Sequence, residues 1–260
     1  MRRRTVLITP LASALTWGHH AHAQVLNLND AINKAGRQRM LSQRMGKAWL
    51  ALIHGIEPVI AQRLLDNSLA LFERQLAELK AYAPTADIQA TYQKLETAWT
   101  DYKTLLVGTR PQAELAASLL SADARVLALA HQGTGQYEAH LGKPTGRLVN
   151  VAGRQRMLSQ RMAKFYLAAT LVSDSRSVLA EIQTARTEFL AGLDVLRNAS
   201  QATPSILDEL ALADGQWVFF DWALQKPPTA GKTGRDVLMA SENLLVVMDR
   251  VTGLYAAQTP

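Results

Sequence analysis

Residues Ala35 to Met45 read Ala-Gly-Arg-Gln-Arg-Met-Leu-Ser-Gln-Arg-Met, and the same eleven letters return at Ala152 to Met162, an offset of 117. A repeat of that length and fidelity is a duplication, and its register extends well beyond the motif. Asn33 matches Asn150, Lys47 matches Lys164, Leu50 matches Leu167 and Phe72 matches Phe189. After one inserted residue, Trp99 matches Trp217, Leu120 matches Leu238, and Thr134-Gly135 with Tyr137 match Thr252-Gly253 with Tyr255. The chain therefore holds one module of about 117 residues twice, and any fold must be built from two like halves.

Each copy divides into four helical stretches. Asn29 or Asp30 is placed to cap a helix running to about His54, Pro58 suits the first turn of a second that ends before Pro84, and Thr85 caps a third reaching Gly108. Pro111 opens a fourth, ending near Gly133 to Gln136. Breaks at Ser173 to Ser175, near Pro204, and from Pro227-Pro228 to Gly234 divide the second copy alike. Alternating β-branched runs never persist, so strands are not expected. The expectation is an all-α protein: two tandem up-down-up-down four-helix bundles packed as a pseudo-symmetric dimer fused into one chain. Ala139 to Gly146 reads as the short connection between modules 24–143 and 144–260. With 48% apolar residues in 260, there is material for both cores.

Residues 1–23 read as a cleaved signal peptide. Arg2, Arg3 and Arg4 form a basic start, Val6 to Trp17 is a short apolar run, and Ala21-His22-Ala23 places small residues at the cleavage positions. Arg3 to Leu7 also resembles a twin-arginine signal, and an uncleaved membrane anchor is the alternative. No later run approaches the ~18 apolar residues of a membrane span. The expected location is the periplasm. Removing the three arginines leaves 25 basic against 22 acidic residues, a balance of +3 that argues against nucleic acid as the partner. With no cysteine, thiol catalysis, thiolate metal sites and disulfides are excluded. His54, His131 and His140 stand singly, so no metal and no cofactor is expected. Catalytic carboxylate pairs, a Ser-His arrangement and H-E-x-x-H are missing, and Gly231-Lys232-Thr233 lacks the rest of a phosphate loop, so an enzyme is not expected.

The motif helices carry the functional signal. Between Ala31 and Ile53 stand Lys34, Arg37, Arg39, Arg44 and Lys47 without one acid, and Thr145 to Val172 repeats this with Arg147, Arg154, Arg156, Arg161 and Lys164. Such helices call for negative charge from elsewhere. At about 100° per residue, Leu41, Met45, Ala48 and Leu52 form a stripe for the module's own core. Ile32, Gly36, Arg39, Gln43, Gly46 and Leu50 form a second stripe spaced as a helix–helix seam, repeated by Val149, Gly153, Arg156, Gln160, Ala163 and Leu167. Pairing along these stripes brings Arg39 and Arg156 together beside Gly36 and Gly153, where a small planar oxyanion relieves their repulsion. Gln43 and Gln160 would add neutral donors or position the arginines; Arg44 and Arg161, at the edge, would add field. Met40, Met45, Met157, Met162, Trp49, Trp99, Trp217 and Trp222 read as packing. Solvent-facing, well-separated arginines would instead mark a docking surface without a small ligand.

Ile32 to Met45, and again Asn150 to Met162, resembles the first-helix box of the PilJ/NarX-type sensor domain, found at the periplasmic end of nitrate/nitrite sensor kinases and type IV pilus chemotaxis transducers. The resemblance implies a dimerising four-helix bundle that holds its anion between two first helices through the box arginine before Met, here Arg39 and Arg156, with Arg44 and Arg161 contributing. Arg37 and Gln38 follow the pilus-transducer form of the box more than the nitrate-kinase form. The expected function is an exported oxyanion sensor, with nitrate or nitrite as leading ligand. Lacking membrane helices and a kinase or methyl-accepting region, it would signal through a membrane sensor, chemoreceptor or transporter component. The alternative is a ligand-free adaptor docking to a chemoreceptor, sensor kinase or pilus-linked system.

Overall fold

Among the described residues, eight long helices follow the punctuation of the sequence. A computed structural model describes residues 24–258, and the signal-peptide reading at 1–23 lies outside them. The first copy contains α1 (Leu28–Ile53), α2 (Pro58–Tyr82), α3 (Ala86–Gly108), a 3-10 turn (Ala113–Leu115) and α4 (Ala116–Leu141). The second contains α5 (Pro144–Ala168), α6 (Ser175–Arg197), α7 (Pro204–Leu224) and α8 (Lys232–Ala256). Thr85 and Thr203 cap the third helix of each copy by accepting the backbone N–H three residues on. None of the described helices is long and apolar enough to cross a membrane.

Three boundaries differ from the sequence reading. The cap of α1 is Asn27, whose side chain accepts from the Asp30 N–H. Residues after Pro111 form the 3-10 turn first, so α4 begins at Ala116. The helix then runs past Gly133 to Leu141, because Gly133 makes a close contact and does not end the helix: a Cβ there would lie 2.9 Å from the Tyr92 ring. Gly142, at φ 63°, ends α4 in the left-handed conformation glycine favours, and Pro144 opens α5. The expected eight-residue connection is thus only Gly142 and Lys143.

In each copy the first helix packs on the second and fourth, and the third lies on the fourth. The cores match at the duplicated positions. Phe72 stacks on Trp99 with ring centroids 4.2 Å apart, and Phe189 stacks on Trp217 at 4.7 Å. Met40, Met45, Met157 and Met162 are buried packing residues. Trp222 is not: it stands exposed on α7 under the Lys226 ammonium, which lies 3.2 Å from the ring centroid. The most extensive contact between copies is α1 against α5. Equivalent residues of these two helices face each other, so they run parallel about a pseudo-two-fold, as the second stripe requires.

Candidate anion site at the helix crossing

Every residue of the second stripe is buried in both copies. Glycine lets the backbones approach: a Cβ on Gly36 would lie 3.7 Å from the Gly153 Cα, 3.2 Å from Arg39 Nη2 and 3.6 Å from Arg156 Nη2. Both guanidinium groups therefore end at this crossing, fully buried. Each reaches over to the other copy. Arg39 Nη2 donates to Asn150 Oδ1 at 2.7 Å and to the Asn150 carbonyl at 3.2 Å, while Arg156 Nη2 donates to the Asn33 carbonyl at 3.0 Å. Burial, with Arg154 and Arg156 adding to it, pulls the Arg39 guanidinium down to about 9. Burial and Arg37 bring Arg156 down to about 10. The expected convergence of two costly cations is present.

The two arginines differ most at the remaining Nη1 atoms. Arg156 Nη1 donates to Asp249 Oδ1 at 2.5 Å, and Arg37 Nη2 donates to the same oxygen at 3.1 Å. Burial alone would raise the Asp249 carboxyl, but Arg156 and Arg37 outweigh it and hold it at about 2. Arg39 Nη1 instead meets His131 Nδ1 at 3.2 Å. Among the described residues Arg39 has no carboxylate within ion-pair distance, and Asn150, which accepts from Arg39, donates through Nδ2 to Glu138. The Nε atoms of both arginines are buried without partners. One arginine thus carries an internal counter-charge and the other does not.

Gln43 and Gln160 do not reach the arginines. They lock the copies together one turn along: Lys47 Nζ donates to Gln160 Oε1 at 2.5 Å, and Lys164 Nζ donates to Gln43 Oε1 at 2.7 Å. Lys164 also pairs with Asp123, both fully buried, and Gln43 donates to that carboxylate at 2.7 Å. Arg44 grips Glu242 at 2.5 Å, a carboxylate it shares with Lys47, and Arg161 pairs with Glu181 at 2.6 Å, so both edge arginines are already neutralised.

These pairs correct the inference drawn from the acid-free helices. Glu78 of α2, Asp123 of α4, Glu181 and Glu188 of α6, and Glu242 and Asp249 of α8 neutralise most of the motif cations from neighbouring helices. Among the described residues, Arg39 is then the buried motif cation left without a carboxylate, while Arg147 stands exposed to water. Two surface grooves, of about 890 Å³ along α2 and α3 and about 760 Å³ beside Gln24 and Tyr82, touch neither crossing arginine. Among the described residues, no three His, Asp or Glu side chains converge as a metal would require.

The Lys47–Glu242 contact also sets an acid limit. Burial raises the Glu242 carboxyl, but Lys47 and Arg44 outweigh it and hold it at about 2, below its ordinary 4.5. Its contribution to stability is complete above 4.5 and is lost as pH falls toward 2. Denaturant titrations across that window should show Glu242→Gln losing less stability on acidification than the unaltered protein. Parallel acid limbs would contradict this.

The sequence model of the PilJ family, described as the N-terminal region of type IV pili methyl-accepting chemotaxis transducers, matches residues 21–129 and again 142–225. The chain belongs to the PilJ family. The PilJ domain occurs twice, and it is a signalling sensor domain related to chemotaxis transducers. His131, Glu138, Glu242 and Asp249, which set the charge around the crossing, all lie outside the matched PilJ segments. No curated protein and no solved structure matches the chain.

Proposed function

We propose that the chain is an exported PilJ-type module that senses a small oxyanion, nitrate or nitrite first among them, where α1 crosses α5. The observation that carries the reading is Arg39: a fully buried guanidinium at the junction of two copies that, among the described residues, has no carboxylate of its own. An anion there would reset the packing of α1 on α5, and a membrane sensor, chemoreceptor or transporter component would respond to the shift. Periplasmic location belongs to the same reading and rests on the basic and apolar pattern of residues 1–23. Calorimetric titration with nitrate, nitrite, chloride and sulfate tests it, with Arg39→Met and Arg156→Met beside the unaltered protein. Planar anions should bind and Arg39→Met should abolish the heat. Identical behaviour of all three proteins would end the proposal.

One observation favours the adaptor reading. Val218, Phe219 and Trp222 of α7 are exposed, Phe219 at 68%, where the first copy carries Thr100, Asp101 and Thr104. Leu212, also exposed, stands where the first copy has Lys94. The same fold is therefore polar on one outer face and apolar on the other, and such a strip fits a helical partner. Phe219→Asp with Trp222→Asp should leave the melting temperature and anion binding unchanged while abolishing co-sedimentation with a PilJ-family receptor domain. Undiminished co-sedimentation would remove this reading.

A further inference from the structure

His131 on α4 and Asp249 on α8 occupy the same place in the two copies, at the offset of 118 that the fourth helices keep, and both meet the Nη1 atom of a buried arginine. In the Asp249 corner one carboxylate oxygen joins two guanidinium groups, Arg156 and Arg37. The counterparts in the other corner are Arg39 and Arg154, and there the shared acceptor is a neutral ring at Arg39 only, while Arg154 turns to Glu188 at 2.7 Å. Among the described residues, the duplication has left the buried arginine of one corner with a carboxylate and that of the other, Arg39, without one.

We propose that the corner formed by Arg39, Arg154 and His131 takes a free, monovalent planar oxyanion, seated as the Asp249 carboxylate is seated against Arg156 and Arg37. This rests on the anion-sensing reading above and narrows it to one corner and one anion per chain. Asp249 acts as a tethered ligand that keeps the second corner permanently occupied. The side chains that must move are accessible. His131 is exposed, so rotating its ring off Nη1 opens Arg39 to solvent. Arg154 and Glu188 are about two-fifths exposed, a pair weak enough to release Arg154 toward an anion.

Binding in this corner takes up a proton. Without ligand, His131 Nδ1 accepts from Arg39, which requires a neutral ring. Burial, Arg39 on α1 and Arg154 on α5 oppose its protonation, while Glu188 on α6 and Glu138 on α4 favour it. A bound anion shifts that balance toward the charged imidazole, which then becomes a third donor.

Nitrate and formate, titrated at constant ionic strength into the unaltered protein, His131→Asp and Asp249→Asn, test the proposal. The unaltered protein should bind one anion, at least fivefold more tightly near pH ~5.5 than near pH ~8. His131→Asp supplies the missing carboxylate, so it should stay folded and bind roughly 100-fold more weakly. Asp249→Asn removes the tethered charge from the second corner, so the half-exposed side chain can swing aside for a second anion and the stoichiometry should rise from one to two. Binding that His131→Asp leaves intact, or affinity that does not change with pH, would overturn this inference while the sensing reading stands. Absence of binding to the unaltered protein at every pH would instead remove the sensing reading itself.

Discussion

Asp123→Ala should destabilise the protein by about 3–5 kcal/mol, because it leaves the Lys164 ammonium buried without a counter-charge. Lys164 and Asp123 are both essentially inaccessible to water, and Asp123 also accepts from Gln43, so the substitution strands a cation and an amide together. For a chain of this size that corresponds to a fall in melting temperature of roughly 6–20 °C. Removing both charges, with Asp123→Leu and Lys164→Met, should recover most of the loss, since an apolar pair of similar volume often replaces a buried ion pair at little cost. Denaturant unfolding of the single and double variants separates the two cases. A single variant within about 0.5 kcal/mol of the unaltered protein would show that Lys164 is not held as described.

Asp249→Ala should cost about 2–3 kcal/mol, less than Asp123→Ala although the arginine it strands is just as buried. The Asp249 side chain is 46% exposed, so solvent reaches the corner and water replaces part of the lost contact. Arg156 would keep only its bond to the Asn33 carbonyl, and its Nε already lacks a partner. The reciprocal change, His131→Asp, should leave stability unchanged or raise it, because it brings a carboxylate to Arg39. Melting curves of the two variants should therefore move in opposite directions or differ by at least about 2 kcal/mol. Equal destabilisation would mean that the two corners are not electrostatically different.

The fold was legible because a duplication states its architecture twice. The stripe running through Gly36, Arg39 and Gln43 identified the α1–α5 seam by spacing alone, since side chains three and four apart must share a helix face. Helix starts at Pro58 and Thr85 were equally local. Gly133 misled because its reason is a neighbour distant in sequence, Tyr92. The charge pattern misled for the same reason. The motif stretches Ala31 to Ile53 and Thr145 to Val172 hold no acids of their own, and the counter-ions of Lys164, Arg44 and Arg156 arrive from α4 and α8, some 40 to 200 residues away in sequence. Gln43 and Gln160 lie on the expected face but accept from lysines and do not serve the arginines, because the reach of Lys47 and Lys164 across the seam is not visible in a one-helix projection. His131 and Asp249 had a usable signal: their mismatch stands in a register where Thr134 and Thr252 agree. Only the structure shows that this mismatch falls on the buried arginines.

The most direct test of the central claim is thermal unfolding with and without nitrate at fixed ionic strength, for the unaltered protein and Arg39→Met. A ligand at about 100 times its dissociation constant stabilises by about 2.7 kcal/mol, enough to move the transition by several degrees. The account predicts that nitrate raises the melting temperature of the unaltered protein and leaves that of Arg39→Met where it was. An equal rise in both proteins, or none in the unaltered one, would contradict it.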